Sequence, residues 1–201
     1  MKKICGLTTL PITIKSFMLG NLNYMADNGY KAYAISQPGE ILQKEHLGKV
    51  QFLPLLIKHG NVSPLEVFKT IWKLYKIFKK EQFDIIQYAT SNAALYACIA
   101  GWMARTPVRI YCQWGISYTD YHGMYLWFYK LMEKVTCIFS TSVQPDSPSN
   151  LKFSIEEGLY KASKGHVLLN GSATGVDLTK YDYSMKKGWS KDISCLLYTS
   201  D

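Results

Sequence analysis

Short apolar runs alternating with helical stretches predict an α/β domain: a doubly wound, parallel sheet of about seven strands with helices on both faces. Three observations carry that reading. The apolar runs recur along the whole chain, and the intervening stretches show helical spacing. A strong helix start stands at Ser63-Pro64, and the last run, Val167-Leu168-Leu169, opens abruptly into a loop rich in glycine.

The elements follow in order. Residues 4–8 form a first strand at the N-terminus. From 15 to 28, Phe17, Met18, Leu22 and Met25 recur at helical spacing, and Asn28-Gly29 is a good stop. Residues 33–35 read as a second strand, ended by Gln37-Pro38-Gly39, and residues 50–53 as a third. The next helix has Ser63 at its N-cap, Pro64 at its first position, Glu66 in its first turn and a stripe of Val67, Ile71, Leu74 and Phe78. A fourth strand over 84–88, a helix over 92–104, a fifth strand over 108–112 and a helix over 123–134 come next. Residues 137–142 read as strand six, the Ser/Pro-rich stretch 144–150 as a connection, 151–160 as a helix and 166–169 as strand seven. Strand, helix and strand in succession imply right-handed crossovers, and ligands then bind beyond the carboxyl ends of the strands.

Composition narrows the class. With 201 residues, 48% hydrophobic and 19% charged, the chain suits one globular domain or slightly more. A net charge of +8 implies attraction to anions, and aromatics at 14% suit stacking or interfacial surfaces. Five cysteines without a C-x-x-C pair read as reduced, buried hydrophobes in a cytoplasmic protein. The four histidines lack ligand spacing, so no metal site is expected. Met1-Lys2-Lys3 imitates a signal peptide, but Thr8, Thr9 and Pro11 break the apolar run too early. Residues 85–104 carry no charge and match a membrane span in length, yet Gln87, Thr90, Ser91 and Asn92 divide them into a strand, a polar turn and a small-residue helix.

Asn170-Gly171-Ser172-Ala173-Thr174-Gly175-Val176-Asp177 resembles the "NGS-x-x-GVD" segment that closes the N-terminal domain of family-4 glycosyltransferases of GT-B architecture. Asp84-Ile85-Ile86, after a lysine-rich helix, and the Trp114-Gly115 turn, after strand five, also resemble that family in type and order. The resemblance covers about residues 2–183. It departs at Gln113-Trp114-Gly115, where Trp114 stands in the place of the family's usual His, so that residue's role does not carry over. The resemblance implies a Rossmann-like acceptor-side domain over 1–183 and the start of a linker or second domain over 184–194. The seven residues from Cys195 to Asp201 resemble a translated sequencing adapter and are set apart from fold reasoning. On this reading the second domain, which binds the donor and carries the family's paired glutamates, is missing, and the fragment is expected to be inactive alone.

Candidate site residues fall in three loops and one helix. Thr9, Thr13 and Lys15 follow strand one, where backbone N–H groups at a helix start favour anions, but neither G-x-G-x-x-G nor a Walker motif is present. Gln113, Trp114, Gly115, Ser117 and Tyr118 follow strand five; aromatic faces there suit a sugar's C–H surface, and Asp120 is the candidate base for an acceptor hydroxyl. Asn170, Gly171, Ser172, Gly175 and Asp177 form the cleft loop near the donor. Lys69, Lys73, Lys76 and Lys80 share one helix face with Trp72 and Tyr75 nearby, a pattern that fits an anionic membrane surface or a merely solvated face. No nucleic-acid motif accompanies the charge.

The resemblance implies a retaining, metal-independent transferase. Its donor would be a nucleotide diphosphate sugar and its acceptor a glycan or lipid-linked acceptor, in surface polysaccharide assembly at the cytoplasmic face of the membrane. No cofactor is expected in this part of the chain. The alternatives are a non-catalytic module for anionic membrane or glycan, and a Rossmann-type epimerase or oxidoreductase, against which the missing glycine fingerprint speaks.

Overall fold

The computed structural model describes residues 1–42, 47–58 and 62–175. The domain boundaries expected at 183 and 195, and Asp177, lie outside the described residues.

Six parallel strands form one sheet in the order β3-β2-β1-β4-β5-β6: β1 Lys3–Leu7, β2 Lys31–Ser36, β3 Gln51–Pro54, β4 Ile85–Tyr88, β5 Val108–Gln113 and β6 Ser142–Pro145. The helical elements are α1 (Pro11–Thr13), a π-helical segment (Ile14–Met18), α2 (Leu19–Asp27), α3 (Pro64–Glu81), α4 (Ser91–Met103), α5 (Gly123–Phe139) and α6 (Pro148–Glu156). This is a Rossmann-like, doubly wound parallel sheet, as the resemblance implied, with β1 pairing to β2 on one side and β4 on the other. The order of strands reverses at the β1/β4 pair, the place where doubly wound sheets open a crevice.

Alternation along each strand builds two cores. Cys5, Leu7, Tyr33, Ile35, Ile86, Tyr88, Tyr111 and Val143 join one apolar cluster with Leu74 and Phe78 of α3 and the alanines of α4. Ile4, Ala32, Ala34 and Cys112 join the other with Ile14, Met18 and Leu22. Small residues let α4 lie close to the sheet: a Cβ at Gly101 would fall 2.4 Å from Ile86 Cδ1. Residues 85–104 thus divide into β4, a turn and α4, and no helix among the described residues is long and apolar enough to cross a membrane.

Several boundaries differ from the sequence expectation. The first helical stretch begins at Pro11 rather than Lys15, because Pro11 at the first position starts a turn that runs on without a break into the π-helical segment. Helix α5 continues to Phe139 instead of stopping at Lys134, since Glu133, Thr136 and Cys137 extend one buried stripe, so strand six is shifted to Ser142–Pro145. Helix α6 opens at Pro148, because the Ser147 hydroxyl accepts the Asn150 N–H as an N-cap. The expected seventh strand is reduced to one parallel bridge, Val143 to Gly165, with the His166 N–H donating to Val143 O. Leu168 and Leu169 are exposed beyond that bridge, and no strand among the described residues pairs with them.

Candidate functional site

The carboxyl ends of β1, β4, β5 and β6 bring three of the four candidate groups to one edge of the sheet. There the loops after β4 and β5 enclose a cavity of about 350 Å³ lined by Thr90, Ser91, Tyr111, Cys112, Trp114, Gly115, Ile116 and Ser117. Its lining combines the hydroxyls of Thr90, Ser91 and Ser117 with the aromatic side chains of Tyr111 and Trp114. The Ser91 hydroxyl donates to Ser117 Oγ at 3.3 Å, tying the two loops together. Gly115, at φ +96°, makes the turn that swings the chain back over the sheet. Cys112 is no nucleophile, since burial pushes its thiol up to about 12, only partly offset by the hydrogen bond from Gln87.

Trp114 is half-buried and its ring packs on Phe17 at 5.1 Å between centroids. Phe17 is 40% exposed, so the pair forms an aromatic platform at the surface. Helical spacing grouped Phe17 with Met18, Leu22 and Met25, without marking it as a site residue. The π-helical turn from Ile14 to Met18 widens the helix there, and such turns are frequent at functional sites.

Gln113 and Tyr118 differ from the expectation that their side chains face an acceptor. Gln113 is fully buried. Its Nε2 donates to Glu133 Oε1 at 2.7 Å, and its Oε1 accepts from Ser154 Oγ and Tyr160 OH, each at 3.1 Å. Its backbone carbonyl accepts from Asn150 Nδ2. Tyr118 is buried in the core, with its hydroxyl 3.5 Å from Glu157 Oε2. Both residues anchor the loop from beneath. Glu133, also buried, accepts from Tyr111 OH at 3.0 Å; burial raises its carboxyl above the ordinary range, and the hydrogen bonds from Gln113 and Tyr111 oppose that shift.

On the β1 side, Thr9 is buried rather than presented to ligand, and its N–H and hydroxyl both meet Thr90 Oγ1. Thr13 is half-buried and Lys15 exposed on the helical turns that follow. Asp120 is exposed on the β5 loop and is not among the residues lining the cavity. The loop from Asn170 is pinned to the end of β6 by the Ser172 N–H, which donates to Asp146 O at 2.5 Å, and is turned by the Gly171 N–H, which donates to Leu168 O at 2.9 Å. A Cβ at Gly171 would sit 2.4 Å from Asp146 O, so only glycine permits this approach. Asn170 and Gly175 are exposed on the same loop. Lys69, Lys73, Lys76 and Lys80 are all exposed on α3 and take no part in the cavity. Among the described residues no group of three or more His, Cys, Asp or Glu side chains could hold a metal ion.

Sequence reasoning missed Phe17, Thr90 and Ser91. The signal for the last two was their position: polar residues directly after β4, the strand beside the point where the order reverses.

Comparison with known proteins adds independent findings. The sequence profile of the family described as "Glycosyl transferase 4-like" matches residues 4–144. The capsular polysaccharide biosynthesis glycosyltransferase CapM of Staphylococcus aureus is 25% identical over 186 residues, covering 92% of this chain and 48% of CapM. The UDP-Gal:alpha-D-GlcNAc-diphosphoundecaprenol alpha-1,3-galactosyltransferase of Escherichia coli is 27% identical over 143 residues, covering 70% of this chain and 35% of that protein. The chain therefore spans about half the length of the first of these relatives and about a third of the second. The solved UDP-GlcNAc 2-epimerase of Neisseria meningitidis, bound to UDP-GlcNAc, superposes with a TM-score of 0.65 at 18% identity, over 96% of this chain and 53% of that one. At that identity the likeness is one of fold.

Proposed function

Because the chain belongs to the glycosyl transferase 4-like family, we propose that it is the acceptor-binding half of a retaining glycosyltransferase. The intact enzyme moves a sugar from a nucleotide diphosphate sugar to a hydroxyl of a glycan or lipid-linked acceptor, in surface polysaccharide assembly. The observation that carries this reading is the cavity at the ends of β4 and β5, which lies inside the family-matched segment and is lined by both aromatic and hydroxyl side chains. A sugar ring offers apolar C–H faces and hydroxyl edges, and Trp114 with Phe17, and Ser91 with Ser117, complement them.

In this reading the acceptor lies against Trp114 and Ser117, and Asp120 takes the proton from its attacking hydroxyl once the loop closes. The loop holding Asn170, Gly171, Ser172, Gly175 and Asp177 faces the donor, which a second domain binds. Lys69, Lys73, Lys76 and Lys80 hold the enzyme on the anionic cytoplasmic face of a membrane, each contributing on the order of 1 kcal/mol near the bilayer. The names of both relatives are those of transferases, which favours transfer over the epimerase chemistry that the fold also accommodates.

The test is a transfer assay with UDP-sugars and an undecaprenol-diphosphate glycan, using residues 1–194 and the same residues followed by their natural downstream coding sequence. Transfer by the extended chain alone is the expected result. Turnover by residues 1–194 alone overturns the two-domain account, and no transfer by either removes the transferase reading.

A further inference from the structure

We propose that α5, together with the outer side of α3, is a lipid-inserting surface that seats the acceptor loop on an anionic bilayer. In its choice of partner this rests on the reading that the acceptor is lipid-linked. On α5, Met124, Trp127, Phe128 and Leu131 follow one another at helical spacing and are 81%, 65%, 50% and 43% exposed. A solvated helix face carries charge at such positions; this one carries large apolar groups in an unbroken stripe. The opposite side of the same helix is buried through Glu133, Thr136 and Cys137, so the stripe is not a misassigned core face. On α3, Phe68 and Trp72 are 65% and 42% exposed and alternate with Lys69, Lys73 and Lys76. Helix α4 packs against both α3 and α5, which places the two outer helices in one layer.

Charge selects the occupant. Glu133 is the one acid in α5, and it is buried and hydrogen-bonded to Tyr111 and Gln113. Lys134 is exposed on the same helix, and Lys130 is partly exposed and paired with Glu157. A second copy of this chain would set lysines against lysines, whereas anionic headgroups complement them and acyl chains take up the apolar stripe. The position fits the acceptor chemistry as well. Tyr121 of the β5 loop stacks on Tyr129 of α5 at 4.5 Å and 11°, so immersing the first turns of α5 brings that loop to headgroup level.

The experiment uses residues 1–201 and vesicles of phosphatidylcholine with or without phosphatidylglycerol. The variants are Met124→Ser/Trp127→Ser/Phe128→Ser and, separately, Lys69→Gln/Lys73→Gln/Lys76→Gln/Lys80→Gln. The serine variant should partition onto phosphatidylglycerol vesicles about tenfold or more weakly, with circular dichroism and melting temperature unchanged. Lipids brominated on their acyl chains should quench wild-type tryptophan fluorescence, and Trp127→Phe should lose the share of that quenching that comes from α5, leaving that of Trp72. Vesicle binding by the serine variant equal to wild type, or absence of quenching by brominated lipid, overturns the proposal. Loss of binding in the lysine variant alone leaves only an electrostatic contact and also overturns insertion. A concentration-dependent dimer that the serine variant dissolves, without vesicle binding, assigns the face to a second copy instead. None of these measurements reads sugar transfer, so their failure and that of the transferase reading are separable.

Discussion

The hydroxyls of Thr9 and Thr90 lie 2.8 Å apart, and the Thr9 N–H donates to Thr90 Oγ1 at 3.1 Å. This pair joins the loops after β1 and β4, the two strands between which the sheet order reverses. Thr90 adopts φ 66° and ψ 136°, a conformation that a β-branched residue enters only at a cost of about 1–3 kcal/mol. That backbone conformation turns the chain sharply into α4 and sets Ser91 in the cavity lining. The two hydrogen bonds to Thr90 Oγ1 hold it there.

Thr9→Val keeps the shape of a buried residue and removes its hydroxyl. It should cost about 1 kcal/mol of stability in chemical denaturation. Thr90→Gly loses both hydrogen bonds but releases the strained backbone, so its net cost should also stay within about 1 kcal/mol. In the Thr90→Gly background, Thr9→Val should cost much less than in wild type, because its partner is already gone. Equal costs in the two backgrounds would show that the pair does not couple the loops.

That pair also marks where the sequence stopped being readable. The α/β alternation, the Ser63-Pro64 helix start and the division of residues 85–104 were legible because each depends on local chemistry: period, caps and a polar turn. The boundary near Phe139 was not, because Val135 to Phe139 is as apolar as a strand and only packing against the sheet keeps it helical. Within the site, the loops after β5 and β6 were legible by composition. The inward turn of Gln113 was not: it depends on Glu133, Ser154 and Tyr160, which lie 20, 41 and 47 residues away. Nor could spacing show that Phe17 leaves its helical stripe to meet Trp114, 97 positions later in the chain.

The buried carboxyl of Glu133 should make stability pH-dependent. Its folded-state value is raised above the ordinary 4.5 by burial, so the folded protein binds that proton more tightly than the unfolded chain does. The contribution is therefore fully present below the unfolded value and is lost as pH rises through the folded one. Glu133→Gln keeps an oxygen for the Gln113 Nε2–H and removes the titration. The difference in melting temperature between variant and wild type should then shift in favour of the variant as pH rises from about 4 towards 7. A constant difference across that range would show that Glu133 does not titrate differently in the two states.

Gly171 tests how the cleft loop is held. Its φ is +95°, and a Cβ there meets the Asp146 carbonyl oxygen, which is backbone and cannot rotate away. Gly171→Ala should detach the loop from the end of β6 at a local cost of about 1–3 kcal/mol. Amide exchange at Ser172, whose N–H donates to that same carbonyl, should accelerate, while exchange within β1 and β4 stays unchanged. Unchanged exchange at Ser172 would mean that the loop tolerates the side chain, and that glycine there serves another purpose.

The kinetics of the full-length enzyme should separate binding from chemistry within the β5 loop. Trp114→Ala and Phe17→Ala each remove half of the aromatic platform, which on the proposed function would touch an acceptor in the ground state and the transition state alike. Both should raise the acceptor's KM with little change in kcat, and the double variant should cost less than the sum of the two, since the rings support each other. Asp120→Asn should behave differently. If its carboxylate takes the proton of the acceptor hydroxyl, kcat should fall by about 10² to 10⁴ while KM changes little. Asp120 stands exposed, outside the cavity lining, so its role requires the loop to close over the acceptor. A solvent-viscosity effect on kcat would report closure or release, and a kcat lowered by Asp120→Asn should lose that effect as proton transfer becomes rate-limiting. Wild-type kcat in Asp120→Asn would take the carboxylate out of the chemistry. Wild-type KM in both aromatic variants would take the acceptor off this wall of the cavity.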